Sequence, residues 1–393
     1  MRDPTCSSYS RLGNNHQRPG KQTDLFLLDF SKAFDSVPHK RLLYKLSYYG
    51  ITGKTNNWIN AFLSNRRQCV SINGNKSQWV DVISGVPQGT VLGPTLFLVY
   101  INDIFENVSS QMRLFADDSI LYRQIDSPDD HKILQRDLET VLEWSKTWQM
   151  RFNIDKCHRM SITRRRKPIN FDYRMEGKPI IKSPTEKYLG VVLSEDLRWN
   201  AQCKEVRSKA SRILGILKRN LGPCSKEVKT RAYHAMVRPR LEYATAAWNP
   251  HTDKNVDSLE MVQRQAARFV CSDYRRTTSV TGLLENLGWD TLEHRRLLIQ
   301  STMFYKIHNN LVNIVFPLII IPQISNTRSS HQFQFQQVQT NNLTFQNSFF
   351  PRMIPVWNHL PSTAVLATTV KSFQEATSPA LKIMRPTPGL RRF

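Results

Sequence analysis

The sequence predicts an α+β fold, with short strands and helices mixed over residues 23–197 and a mainly helical region from residue 198. Three observations carry this. An apolar run, Leu25-Phe26-Leu27-Leu28, stops at Asp29 and gives way to helical periodicity. Short alternating runs around Asn73-Gly74 and Asp117-Asp118 read as hairpins. Beyond Arg198 the pattern turns helical, with apolar stripes backed by Lys and Arg.

In chain order, residues 1–22 are polar, without periodicity, and are expected to be an irregular lead-in. The run at 25–28 reads as a buried strand. Residues 33–49 follow with helical spacing, interrupted at Val37-Pro38. Trp58, Ile59, Phe62 and Leu63 form an amphipathic turn of helix before the Asn73-Gly74 hairpin. The string Gly85-Val86-Pro87-Gln88-Gly89-Thr90-Val91-Leu92-Gly93-Pro94 breaks regular structure ahead of an apolar helix at 95–104. A second hairpin at 112–122 carries Asp117-Asp118 near its tip. Residues 127–150 place Ile133, Leu134, Leu138, Val141, Leu142 and Trp148 on one helical face. Short strands are expected around 160–162, 171–173 and 188–193. In the second region Val206, Ala210, Ile213 and Leu217 form a stripe backed by Lys204, Arg207, Lys209, Arg212, Lys218 and Arg219. Further helices are expected at 226–236, 256–270 and 292–309. Residues 311–393, rich in Gln, Asn, Ser and Thr up to Ser348, are expected to be a weakly defined tail.

Composition narrows the function. The chain has 393 residues, with 55 Lys plus Arg against 32 Asp plus Glu and a formal net charge of +23. Such a surplus, without low complexity, suits a protein that neutralises several phosphates, so nucleic acid is the expected partner. The six Cys lack the close pairs of a zinc site and the density of a disulfide scaffold, which points to a reducing intracellular compartment. The longest apolar run, residues 311–322, is too short for a span of about 20 residues, and the N-terminus has no signal-like apolar region. Neither membrane insertion nor secretion is expected.

The candidate chemistry lies in Asp29, Asp117, Asp118 and the glycine-rich loop between them in sequence. A strand-end Asp often caps a helix, and Asp-Asp often serves a turn. The apolar neighbours Leu27, Leu28 and Phe30 on one side, and Leu114, Phe115, Ile120 and Leu121 on the other, argue for a compensated carboxylate cluster. Hard divalent cations would compensate it.

The strings DFSKAFDSVPH, SGVPQGTVLGP and FADD, in this order and spacing, resemble the polymerase motifs of reverse transcriptases, and most closely those of the non-LTR (LINE-type) retrotransposons. The resemblance runs from about Thr23 to Leu193. It implies a right-hand palm with residual fingers, a helical thumb, and RNA-directed DNA polymerase activity using two Mg²⁺ ions, or Mn²⁺. The partners would be an RNA template, a DNA primer and dNTPs. Asp29, Asp117 and Asp118 would be the metal-binding catalytic residues. The Phe30 carbonyl would be an extra ligand, and Phe34 would lie under the sugar and exclude a 2′-hydroxyl. Gln88 and Gly89 would face the nucleotide, Lys156 would protonate pyrophosphate, and Leu189-Gly190 would grip the primer. Lys204, Arg207, Arg212, Lys218 and Arg219 would track duplex phosphates. Ordinary alternatives stand beside these roles: Phe34 as a core side chain, Lys156 as a surface lysine, the basic helix as a solvated face.

Asp35 receives no metal role, a helix-surface or capping role being as good a reading, and His39, His131 and His158 lack metal-ligand spacing. The run Arg164-Arg165-Arg166-Lys167 reads as a charged loop. Only 28 residues precede Asp29, where the family carries finger elements and, in LINE-type elements, an endonuclease upstream. The resemblance therefore implies an N-terminally truncated copy. Its alternative is a catalytically inactive remnant that binds nucleic acid; a two-metal nuclease would explain the acids but not Phe34 or the glycine-rich loop.

Overall fold

The apolar run at 25–28 is the inner part of a longer strand, β1 (Gln22–Leu28), in the computed structural model, which describes residues 21–163, 165–314, 322–323, 331–339 and 342–384. The strand begins earlier than its apolar residues suggest because Gln22, Thr23 and Asp24 are buried too. A carboxylate there is tolerable only if it is hydrogen-bonded. Asp24 accepts from Gln22 Nε2 at 3.0 Å and from the Tyr173 hydroxyl at 2.9 Å, and His131 Nδ1 lies 2.5 Å from that hydroxyl. Burial pushes the Asp24 pKa up, but hydrogen bonds from His131, Gln22, Tyr173 and Ser161 bring it below the usual carboxylate value.

β1 is the middle strand of a five-stranded sheet. On one side it pairs antiparallel with the strand here called β3 (Asp118–Ile125), which in turn pairs antiparallel with β2 (Gln111–Phe115). On the other side it pairs antiparallel with β4 (His158–Thr163), whose outer neighbour β5 (Ile181–Lys182) runs parallel to it. Five helices accompany the sheet: α1 (Ala33–Ser36), α2 (His39–Tyr48), α3 (Gly53–Leu63), α4 (Leu92–Ile101) and α5 (Pro128–Thr147). Val37-Pro38 separates α1 from α2, as the proline predicts. Ser127 and Asp130 form a capping box at the start of α5, whose Leu134, Leu138, Val141 and Leu142 enter the core with Phe26, Leu28, Phe97 and Tyr100. The Asn73-Gly74 turn closes the hairpin of Ser71–Ile72 and Asn75–Lys76, all of it exposed.

Lys45 on α2 is a buried cation, 2% exposed. Its ammonium donates to the Tyr100 carbonyl and Asp103 Oδ1, both at 2.5 Å, and stands over the rings of Trp148, Tyr100 and Trp144 at 3.8, 4.7 and 4.8 Å.

The chain divides after Tyr188 into two compact units, earlier than the boundary at 197–198 that the sequence suggests. The second is helical: α6 (Asn200–Asn220), an interrupted stretch over Lys226–Ala232, Tyr233–Val237 and Arg238–Glu242, then α7 (Asp253–Cys271) and α8 (Leu292–His308). Leu214 rather than Ile213 completes the buried stripe of α6. The region from 311, expected to be a weakly defined tail, instead supplies α9 (Phe349–Asn358) and α10 (Val370–Ile383). Their Phe350, Met353, Trp357 and Phe373 share one core with Phe304 and Tyr305 of α8, so the apolar patch at 349–361 is a packing surface. The stretch 315–321 of the apolar run lies outside the described residues, as do residues 1–20 of the lead-in expected at 1–22, whose Gln22 instead opens β1, and Arg164. Among the described residues no helix is long and apolar enough to cross a membrane.

Candidate functional site

β1 delivers Asp29 at its end. Leu28 pairs with Ser119, so the strand register sets Asp29 beside the start of β3, where Asp118 stands. Phe115 pairs with Asp118, leaving Ala116 and Asp117 as a two-residue loop with Ala116 at φ 50°. Left-handed backbone at the first loop position suits tight hairpins and is costly for alanine, the sort of local strain found at functional turns. The Asp118 pKa is raised by burial and by the negative charges of Asp117 and Asp29. The three carboxylates thus share one electrostatic neighbourhood. Among the described residues, no group of three or more Asp, Glu, His or Cys side chains is gathered closely enough to hold a metal ion. The donor set is chemically suited to a hard cation, but its closing-in is not present in this arrangement.

The segment after Asp29 is tied to the chain beyond α5. Asn153 N–H donates to the Asp29 carbonyl at 2.8 Å, Ser31 N–H donates to the Arg151 carbonyl at 2.8 Å, and Phe30 bridges Phe152. This crossing brings Lys156 to the site, its Nζ 3.6 Å from Asp29 Oδ2 and 69% exposed. Phe30 is buried, with its ring stacked on Phe152 at 4.3 Å between centroids. Cys157, which no sequence signal marks, has its thiol pushed up to about 11 by burial, the Asp29 charge adding to the effect.

Phe34 is half-buried and stacked on Phe97 at 4.3 Å. Its carbonyl accepts from Val86 N–H and that of Val37 from Gly85 N–H, both at 2.8 Å, so the glycine-rich loop lies directly on α1. Gly85 is at φ 88°, and a Cβ there would stand 2.8 Å from the Asp35 backbone. Gln88 and Gly89 are exposed. Two residues given no metal role by the sequence hold this loop. Asp35 accepts from Gln88 Nε2 at 3.0 Å, with its carbonyl taking the Ser84 hydroxyl at 2.9 Å, and His39 Nε2 lies 2.8 Å from the Gly85 carbonyl oxygen. Of the other histidines, His131 belongs to the Asp24 cluster and His158 faces Glu186 at 3.1 Å.

In the second unit Leu189 and Gly190 both have positive φ, 47° and 79°. On α6, Lys204, Arg207, Arg212 and Arg219 are exposed, and Lys218 is half-buried, with burial lowering its pKa. Helical spacing sets all five outside the stripe of Val206, Ala210, Leu214 and Leu217, with Arg207 and Lys218 at its border and Lys204, Arg212 and Arg219 farther round.

Comparison with known proteins adds the following. Residues 2–193 match the family described as reverse transcriptase (RNA-dependent DNA polymerase). The chain is 27% identical over 271 residues to the probable RNA-directed DNA polymerase from transposon X-element of Drosophila melanogaster, covering 64% of this chain and 29% of that protein. It is 26% identical to the RNA-directed DNA polymerase from mobile element jockey of the same species, with the same coverage. Similarity also extends to the Pol polyprotein from type-1 retrotransposable element R2 of Popillia japonica, at 25% identity over 52% of this chain and 38% of that one. The chain therefore spans under two-fifths of the length of each of these relatives. Among solved structures, telomerase from Candida albicans aligns over 78% of this chain and 51% of its own, with 13% identity and a TM-score of 0.34.

Proposed function

Because residues 2–193 belong to the reverse transcriptase family, we propose that the chain is the RNA-directed DNA polymerase module of a non-LTR retrotransposon. It would extend a DNA primer along an RNA template from dNTPs, with a palm over residues 23–197 and the helices from 198 acting as a thumb. The observation that carries this is the strand register, Leu28 against Ser119, which sets Asp29 beside Asp118 and the two-residue turn that holds Asp117.

Asp29, Asp117 and Asp118 would hold two Mg²⁺ ions, with the Phe30 carbonyl in reach, and such ions activate an attacking hydroxyl and stabilise the leaving oxygens. The protein's own groups divide the rest. Phe34, braced by Phe97, is the wall beneath the sugar, where a 2′-hydroxyl would collide. Gln88 presents its amide with one N–H committed to Asp35, so the group faces the nucleotide in a fixed orientation beside Gly89. Lys156 balances Asp29 and carries a proton that can pass to pyrophosphate. The Leu189-Gly190 turn takes the primer backbone, and Lys204, Arg207, Arg212, Lys218 and Arg219 take duplex phosphates without reading sequence.

A second reading, a nucleic-acid-binding remnant without catalysis, is favoured by one observation: no three ligating side chains close on a metal position among the described residues. Primer extension on an RNA template with dNTPs and Mg²⁺ separates the two. The parent protein should extend and Asp117→Asn should not, both binding duplex equally well. Duplex binding without extension by either protein would establish the remnant.

A further inference from the structure

We propose that Tyr243 is a positioning residue that fixes the Leu189-Gly190 turn, and through it the primer strand. The inference rests on the primer-grip reading of that turn. Leu189 occupies the left-handed region at φ 47°, which is unfavourable for a residue with a Cβ. Something must hold it there. The Tyr243 hydroxyl donates to the Leu189 carbonyl at 3.0 Å. The Tyr243 ring occupies the space beside Gly190, where a Cβ would come within 3.0 Å of Cε1. Glycine at 190 thus answers two demands, its φ of 79° and the tyrosine ring against it.

Tyr243 is 52% exposed, so burial does not explain its position. Its base is held from inside the unit. Arg296, 2% exposed, donates through Nη1 to the Leu241 carbonyl at 2.5 Å, through Nη2 to the Trp248 carbonyl at 2.9 Å, and through Nε to Asn249 Oδ1 at 2.8 Å. Its guanidinium stacks over the Trp248 ring at 4.1 Å, and Trp248 Nε1 donates to the Tyr243 carbonyl at 2.9 Å. Gln300 Nε2 donates to the Thr245 carbonyl at 3.1 Å, and Arg295 and Arg238 both pair with Glu242. A buried guanidinium is costly unless it is hydrogen-bonded, and here each of its three nitrogens donates to the segment on either side of Tyr243. The exposed ring therefore stands on a rigid base and transmits that rigidity to the turn.

The test is steady-state primer extension by Tyr243→Phe and Tyr243→Ala, titrating primer–template and dNTP separately, with Asp117→Asn as the inactive control. Loss of one hydrogen bond of about 1 kcal/mol predicts that Tyr243→Phe raises KM for primer–template about fivefold. Tyr243→Ala should raise it further, and KM for dNTP should stay at the parent value in Tyr243→Phe. An active parent with unchanged primer–template KM in Tyr243→Phe overturns the proposal. An inactive parent refutes the polymerase reading instead, and the positioning role is then read by backbone amide exchange at 189–191. Exchange there should accelerate in Tyr243→Phe, and unchanged exchange overturns the proposal.

Discussion

Replacing Gly85 by alanine should destabilise the first unit by about 2–5 kcal/mol, whereas the same change at Gly89, four residues on in one loop, should cost only about 1–2 kcal/mol. Both glycines have positive φ, 88° and 79°, so both alanines carry the left-handed penalty of about 1–2 kcal/mol. Only Gly85 carries a second cost. Its new Cβ would lie 2.8 Å from Asp35 Cα and O and 2.9 Å from Asp35 C, all backbone atoms, while Gly89 has nothing within 4 Å. Retreat is blocked because Gly85 N–H is bonded to Val37 and its carbonyl faces His39, each at 2.8 Å. Forcing atoms into such a site costs typically about 1–3 kcal/mol. Urea unfolding of the two variants beside the parent, compared at constant m-value, measures the difference. Equal losses within about 0.5 kcal/mol would refute the claim that the loop is seated on the Asp35 backbone.

Three further outcomes follow from the geometry. Asp118→Asn, measured without divalent cations, should raise the unfolding midpoint at pH 7. A carboxyl whose folded pKa is raised adds stability below its unfolded value and loses it as pH rises through the folded one, so the gain should vanish near pH 4. Burial lowers the Lys45 pKa to about 8, against support from Asp103, so between pH 8 and 10.5 the unfolded state binds more protons and stability should rise with pH. The rise is bounded at about 3 kcal/mol, less what the aromatic cage returns to the cation, and Lys45→Met should abolish it in pH-dependent denaturation. Trp357→Ala should cost about 3–5 kcal/mol in the second unit and expose Phe304 and Tyr305 to solvent, seen as dye binding. A neutral effect would mean that α9 is not packed on α8.

How much of this was legible in the sequence depends on how far apart the interacting residues lie. The Leu25–Leu28 run, the Pro38 break, the apolar stripe of α5 and a hairpin with Asp117-Asp118 near its tip follow from side-chain periodicity and turn chemistry acting over a few residues, so sequence alone determined them. The motif strings likewise marked Asp29, Asp117 and Asp118 from types and order. Only the tertiary structure decided what surrounds them. Gln22 and Asp24 can be buried only because distant groups satisfy them, the Ile169 backbone for Gln22 and Tyr173 and His131 for Asp24. Lys45 carries no mark of burial in the sequence, and only the fold encloses it with Tyr100, Trp144 and Trp148. Asp35 gains a task only when Gln88, 53 positions away, reaches its carboxylate, and Tyr243 only when Leu189, 54 positions away, accepts its hydroxyl. The polar composition after residue 311 hid a core because burial depends on which few apolar side chains meet α8, not on the average. Local propensity acts within a turn or two of the chain, whereas burial and long-range hydrogen bonds arise only once distant segments pack. The tertiary structure therefore decided which polar groups are held in place and which remain open to a ligand.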